Sequence, residues 1–206
     1  MDNERDATMT QAEHEELTAL RAMHELLSDL LVASHKTPNE SALMEQLQRT
    51  LAVACAALHT DAGTVLICEP HNTLVFAAVH GEFSQSLLWK RLKRTESVAS
   101  WVVRQRKATI VNDTSIDERF NPGVDQETGF RTRSLLASPI LSPNGTPLGV
   151  LELVNKRKGE VFSVTDSRSL NLLAHATGLV LGRLSETEEM DGSVTGRLVA
   201  VDTSAL

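Results

Sequence analysis

Two apolar runs, RSLLASPILS (133–142) and PLGVLELVN (147–155), flank Pro143-Asn144-Gly145. A Pro-Asn-Gly turn between segments this apolar predicts two adjacent antiparallel strands, which commits the chain to a sheet. TVLIC (64–68) and TLVFAAV (73–79) repeat the arrangement around Glu69-Pro70-His71-Asn72, and ATIVN (108–112) reads as a further strand.

On both sides of these strands the apolar period lengthens to that of a helix. Leu17, Leu20, Met23, Leu27, Leu30 and Leu31 recur at helical spacing between about Glu13 and Ser34. Pro38-Asn39 breaks that pattern. Asn39 is a suitable N-cap for a second amphipathic helix carrying Leu43, Met44, Leu47, Leu51, Cys55 and Leu58 and ending near His59. Ser163-Val164-Thr165-Asp166 opens a last helix with a capping-box-like start. That helix carries Leu170, Leu173, Thr177, Val180 and Leu184 on one stripe and Leu172, Ala176 and Leu179 on a second, so it has two faces to bury.

Between the strands, residues 86–107 read as two short helical pieces, the second built on Val98, Trp101, Val102 and Gln105, and 113–127 as a polar loop. The order is α-α-β-β-α-β-loop-β-β-α. It predicts an α+β fold: one antiparallel sheet with the terminal helices on one face and the loop-rich segment 80–130 on the other. A connection that long implies work for it to do, and it is the natural roof of a ligand pocket. A chain of 206 residues suits one domain with extensions. The expected division is 1–37 as a disordered start and N-terminal dimerisation helix, 38–185 as the domain, and 186–206 as a loose tail.

Several functions are disfavoured by composition. A net charge of −7 argues against general binding of nucleic acid or acidic membranes, and the short basic run Lys90 to Arg94 reads as a solvated loop or helix face. The acidic, polar start MDNERDATMT is unlike a signal or transit peptide, and no apolar run approaches membrane-spanning length, so a soluble cytoplasmic protein is expected. Cys55 and Cys68 are the only cysteines and stand in no metal-binding spacing. Both read as small core residues in a reducing compartment, and neither a metal site nor a cofactor is expected.

TGFRTRSLLASPI (128–140) places Arg131 and Arg133, with Thr128 and Thr132, at the mouth of a buried strand. It reads as the lip of a pocket. The longer run DERFNPGVDQETGFRTRSLLASPILSPNGTPLGVLELVNK (117–156), followed by Phe162 and Asp166, resembles the second half of a GAF domain. The likeness is greatest to the cyclic-nucleotide-binding GAF domains that regulate phosphodiesterases and bacterial adenylyl cyclases. It extends over roughly 38–185 and is strongest over 96–170. The family's motif of Asn-Lys, a spacer, Phe, three residues and Asp-Glu is matched by Asn155, Lys156, Phe162 and Asp166, with Ser167 where the family has Glu. These four read as a structural latch, a Lys156–Asp166 ion pair pinning the loop over Phe162.

The resemblance implies that cAMP or cGMP would be the ligand. It places phosphate contacts at Ala99, by backbone N–H, with Val98 beside it, at a helix start that offers free amides and partial positive charge. Thr128 and Thr132 would face phosphate or ribose, Glu152 would accept from ribose or purine donors, and Thr64 matches a pocket serine of the family. His80 and Glu82 stand loosely where the family sets an aromatic and an acidic residue against the purine. Each has a plainer alternative: Thr132 as a turn cap, Ala99 as helix packing, Glu152 on a solvent-facing edge, His80 merely exposed. The two arginines would brace the lip against Asp113, Asp125 or Glu127.

The resulting expectation is a regulatory small-molecule sensor, pairing through its terminal helices into a parallel homodimer and read out by an unidentified output protein or domain. The alternatives are a ligand-free dimerisation or scaffold module and an enzyme reducing free methionine sulfoxide. The second needs nucleophilic and resolving cysteines in the pocket, and none stands in the roof. No catalytic set of any other kind emerges.

Overall fold

In β2 (Thr73–His80) six consecutive residues, Leu74 to Val79, are buried, as are Leu135 to Ile140 in β5 (Leu135–Leu141). Burial without alternation means that both faces of the sheet are covered. The computed structural model describes residues 11–33, 35, 40–82, 84–93 and 97–187. The expected disordered start 1–10, the Asn39 cap and the tail beyond Thr187 lie outside them.

The sheet has six antiparallel strands in the order β3-β2-β1-β6-β5-β4. Besides β2 and β5 these are β1 (Thr60–Glu69), β3 (Arg91–Lys93), β4 (Thr109–Val111) and β6 (Pro147–Lys156). Both predicted hairpins form. His71 and Asn72 in the first turn, and Gly145 in the second, take left-handed backbone angles. β1 and β6 pair along most of their length at the sheet centre, which sets Thr64 directly across from Glu152.

One face is covered by α2 (Glu40–Ala57) and α6 (Val164–Thr187), while α1 (Gln11–Ala33) lies across these two helices. Leu26 and Leu30 of α1, Leu43, Leu47 and Leu51 of α2, and Leu170 and Leu173 of α6 share one core with Val65 and Leu151 of the sheet. The expected N-terminal helix therefore forms with part of its surface committed to its own domain. α6 approaches β5 closely at Gly178, where a Cβ would fall 2.0 Å from the Leu141 carbonyl oxygen. Its start is the predicted capping box, with Ser163 Oγ accepting from the Asp166 amide at 3.1 Å and Asp166 Oδ2 from the Ser163 amide at 2.7 Å.

The second face carries a separate core formed by Leu66, Phe76 and Val150 of the sheet with Val98, Val102 and Val103 of α4 (Val98–Gln105). Here the structure corrects two readings. Of the two helical pieces expected in 86–107, the first lies earlier, as the one-turn helix α3 (Ser84–Leu87), and edge strand β3 stands between it and α4. The basic run is thus partly a strand, with Arg91 and Lys93 exposed around a half-buried Leu92. Charge on so short an edge discourages further pairing. Second, the polar loop contains α5 (Gly123–Thr128), ended by Gly129 at φ 76°. Too short to show a period, α5 is held by its capping and by side-chain bonds to the lip.

Candidate functional site

Between this second face and the roof built from α4, α5 and the lip (129–134) lies a cavity of about 140 Å³. Leu66, Phe76, Leu135 and Val154 from the sheet and Phe120, Val124 and Phe130 from the roof make its walls largely apolar. All eight residues singled out from the sequence line it: Thr64, His80, Glu82, Val98, Ala99, Thr128, Thr132 and Glu152.

At one end is the start of α4. Ser97 caps it, its hydroxyl accepting from the Ser100 amide at 3.1 Å. The amides of Val98 and Ala99, in the first turn, have no acceptor within the helix itself. They sit at the positive end of the helix dipole, and both residues line the cavity.

On the sheet floor stands Glu152. It is half-buried and lines the cavity. Burial pushes its carboxyl up to about 7, opposed by the neighbouring Thr64 hydroxyl. Thr64 Oγ1 is itself buried and does not reach hydrogen-bonding geometry with any protein group. A buried hydroxyl without a partner is uncommon. Glu82 and Asp125 add further carboxylates to the lining, which includes no Lys or Arg among the described residues.

The lip is tied together mainly from within. Asp125, one of the three carboxylates expected as partners of the arginines, accepts instead from the Thr132 amide at 2.7 Å and the Thr132 hydroxyl at 2.8 Å. Thr128 donates to the Val124 carbonyl at 2.8 Å and accepts from the Phe130 amide at 3.2 Å. Both threonines thus line the cavity while their hydroxyls hold α5 and the lip in shape. Arg133 braces the lip against Asp61 of β1 at 3.1 Å, not against the acids of its own loop. Arg131 makes no ion pair among the described residues. Glu127 pairs with Lys90, joining α5 to the segment before β3. Arg119 lies 4.7 Å over the Trp101 ring and pairs with Asp117, fixing the loop before α5 onto α4.

The latch lies outside the cavity. Lys156 Nζ meets Asp166 Oδ1 at 2.9 Å, with side chains only 8% and 13% exposed. Burial alone would raise the Asp166 carboxyl, but the Ser163 amide, Lys156 and the Ser163 hydroxyl outweigh it and hold it below its usual range. Phe162 is buried beneath, its amide and carbonyl both bonded to the Asn112 side chain at 2.8 and 3.1 Å. We expect Lys156→Ala to cost about 1 kcal/mol and Asp166→Ala about 2 kcal/mol, since the second also removes the cap. Thermal melts of both variants check the order. Equal, negligible shifts would mean that no latch operates.

Asn155, expected as part of this latch, serves the lip directly. Its side chain accepts from the Arg133 amide at 2.7 Å and the Ser134 amide at 3.4 Å, and donates to the Arg131 carbonyl at 2.9 Å. Neither cysteine lines the cavity. Cys55 is buried, which pushes its thiol up to about 11 and leaves it unreactive. Among the described residues no cluster of His, Cys, Asp and Glu could hold a metal, and no helix is long and apolar enough to cross a membrane.

Comparison with known proteins agrees with this architecture. A dual 3′,5′-cyclic-AMP and -GMP phosphodiesterase 11 of Drosophila melanogaster is 29% identical over 109 residues, 53% of this chain and 8% of that protein. A probable 3′,5′-cyclic phosphodiesterase, pde-5, of Caenorhabditis elegans is 34% identical over 91 residues, 44% of this chain and 12% of that protein. The chain thus spans about a tenth of the length of these relatives. Among solved structures, the GAF domain of a phosphoenolpyruvate-protein phosphotransferase from Coxiella burnetii superposes with a TM-score of 0.68 at 21% identity, covering 84% of this chain and 99% of that one. Free methionine-R-sulfoxide reductase from Neisseria meningitidis does so at 0.64 and 18% identity, covering 86% and 96%. At these identities the structural likenesses speak for the fold. Residues 42–181 match the sequence pattern of the GAF domain, and the chain belongs to that family.

Proposed function

We propose that the protein is a regulatory sensor domain whose cavity binds a cyclic purine nucleotide, cAMP or cGMP. The observation that carries this reading is the division of the cavity into three chemistries. Amides at the α4 start suit a compact anion, apolar walls suit a flat ring, and the Thr64–Glu152 floor suits the polar edge of a heterocycle. The names of the phosphodiesterase relatives point the same way. The domain is not an enzyme in this reading: no thiol lines the cavity among the described residues, and the output lies in a partner protein or domain.

Titration calorimetry of the wild-type protein with each nucleotide is the first test. Ala99→Asp puts a carboxylate where the phosphate would lie, and like charges at that range repel. We expect at least about a tenfold loss of affinity, read only after a melting curve has established that the variant is folded, since Ala99 is buried against the second core. Unchanged affinity would remove α4 as the anion subsite. A second reading, a ligand-free pairing module, draws on the lip, where the Thr128 and Thr132 hydroxyls already have partners. It predicts no heat with either nucleotide.

In both readings the protein acts as a parallel homodimer. Leu17, Leu20 and Leu31 of α1 and Leu172 of α6 remain exposed after the helices have packed on their own domain, Leu20 at 57% and Leu172 at 51%. A second copy of the same helices would cover them. Light scattering should return a dimer at micromolar concentration and a monomer for Leu20→Glu/Leu31→Glu. A monomeric wild type would exclude this assembly.

A further inference from the structure

Trp89 adopts φ 66°, a left-handed angle that a bulky side chain seldom takes. Its amide donates to the Phe76 carbonyl at 2.8 Å, and the Phe76 amide donates to the Lys90 carbonyl at 3.0 Å, so two residues oppose one. This is a bulge of the kind whose left-handed position ordinarily holds glycine. A tryptophan keeps such an angle only where its surroundings over-determine it. Here the surroundings are both cores. Leu87 and Leu92 pack in the cavity-side core and line the cavity, whereas Trp89, between them, packs against the helix-side core. Residues 87–92 thus form a strap along the sheet edge with anchors on both faces. We propose, resting on the nucleotide reading above, that filling the cavity displaces this strap outward and that Trp89 relays the displacement to the helix layer, first to α2, which lies on β2.

A cavity of about 140 Å³ is smaller than the roughly 300–1,000 Å³ of ordinary small-molecule pockets, so a nucleotide enters only if a wall yields. The floor is the central β1–β6 ladder, α4 is rooted in the core through Val98, Val102 and Val103, and the lip is clasped by Asn155. The strap is held least. α3 is a single turn, β3 pairs three residues with β2, and the ties Lys90–Glu127 and Arg91–Glu69 join partly exposed side chains. The Trp89 indole N–H is buried and meets no acceptor among the described residues, so packing rather than a directional bond holds the ring. Relaxing the backbone angle and withdrawing the ring from the helix-side core are therefore one movement. By linkage the helix layer resists that movement, and cutting the anchor should tighten binding.

The test uses the full chain carrying Trp101→Phe, which leaves Trp89 as its one tryptophan. Calorimetry with cAMP and with cGMP first identifies the nucleotide that binds. At saturation we expect the Trp89 emission to shift and amide exchange across α2 to accelerate about fivefold, the lower end of ordinary coupling. Trp89→Gly suits the bulge but removes the anchor. It should bind that nucleotide about fivefold more tightly and leave α2 exchange unmoved by it. Trp89→Phe, which keeps a packed ring, should retain the α2 response. If the nucleotide binds without shifting the Trp89 emission, or α2 responds equally in Trp89→Gly, the relay is overturned while the nucleotide reading stands. The emission measurement needs no change at position 89, so it decides the matter even where a melting curve shows Trp89→Gly unfolded. If neither nucleotide binds, both are overturned.

Discussion

Asn155→Ala is expected to lower the melting temperature by about 8–12 °C. Asn155 is 1% exposed and adopts φ 59°, a left-handed angle that asparagine tolerates better than alanine. Its side chain is the partner of the Arg133 and Ser134 amides and of the Arg131 carbonyl. Truncation leaves these backbone groups unpaired in a partly buried seam, at about 1 kcal/mol or more each, and adds backbone strain. The sum is about 3–4 kcal/mol, and a domain of this size loses about 2–4 °C per kcal/mol. Thr132 sits inside the segment so released, so amide exchange should accelerate through 131–134 as well. Asn155→Gly, which relieves the angle but not the bonds, should recover only part of the loss. A drop below about 2 °C for the alanine variant would show that the lip is held by something else.

The second large effect is a gain. The folded Glu152 carboxyl keeps its proton up to about 7, while its ordinary value is 4.5. Between those values the folded state binds more protons than the unfolded one, so stability falls as pH rises through that window and stays lowered above it. Glu152→Gln removes the charge that burial penalises. It should therefore stabilise the ligand-free protein at about pH 8 by about 2 kcal/mol, discounted because part of the carboxyl faces the cavity, and raise the melting temperature by about 4–8 °C. At about pH 4.5, where the folded carboxyl is already neutral, the two proteins should melt together. A difference that does not change with pH would mean that the Glu152 carboxyl is not desolvated. The destabilisation sits at a cavity-lining residue, as expected where a site is kept for a ligand rather than for stability.

Both hairpins, the last helix with its Ser163–Asp166 cap, and the pairing of Lys156 with Asp166 were legible in the residues. Each rests on local signals: turn residues with left-handed angles, apolar runs, and a cap spaced three residues apart. The position of the cavity was legible too, because the resemblance over 96–170 carried residue identities that periodicity alone does not supply. β3 was not. Three residues with one inward leucine give no period, and the strand exists because Leu74 and Val75 of β2 offer it an edge. Nor was α5, whose six residues depend on Gly129 and on bonds among Val124, Asp125, Thr128 and Thr132.

The sequence by itself determined the α+β class, the antiparallel sheet and which residues would gather at one pocket. Only the tertiary structure decided what those residues do there. It turned Asp125 from an arginine's partner into a threonine's, sent Arg133 to Asp61, and made Asn155 the clasp of the lip. It also set Glu152 and Thr64 opposite each other on the floor of the cavity. Strand and helix patterns are written in nearest neighbours. A hydrogen bond between residues 22 or 72 positions apart, and the desolvation of a carboxyl, exist only once the sheet and roof have closed around them.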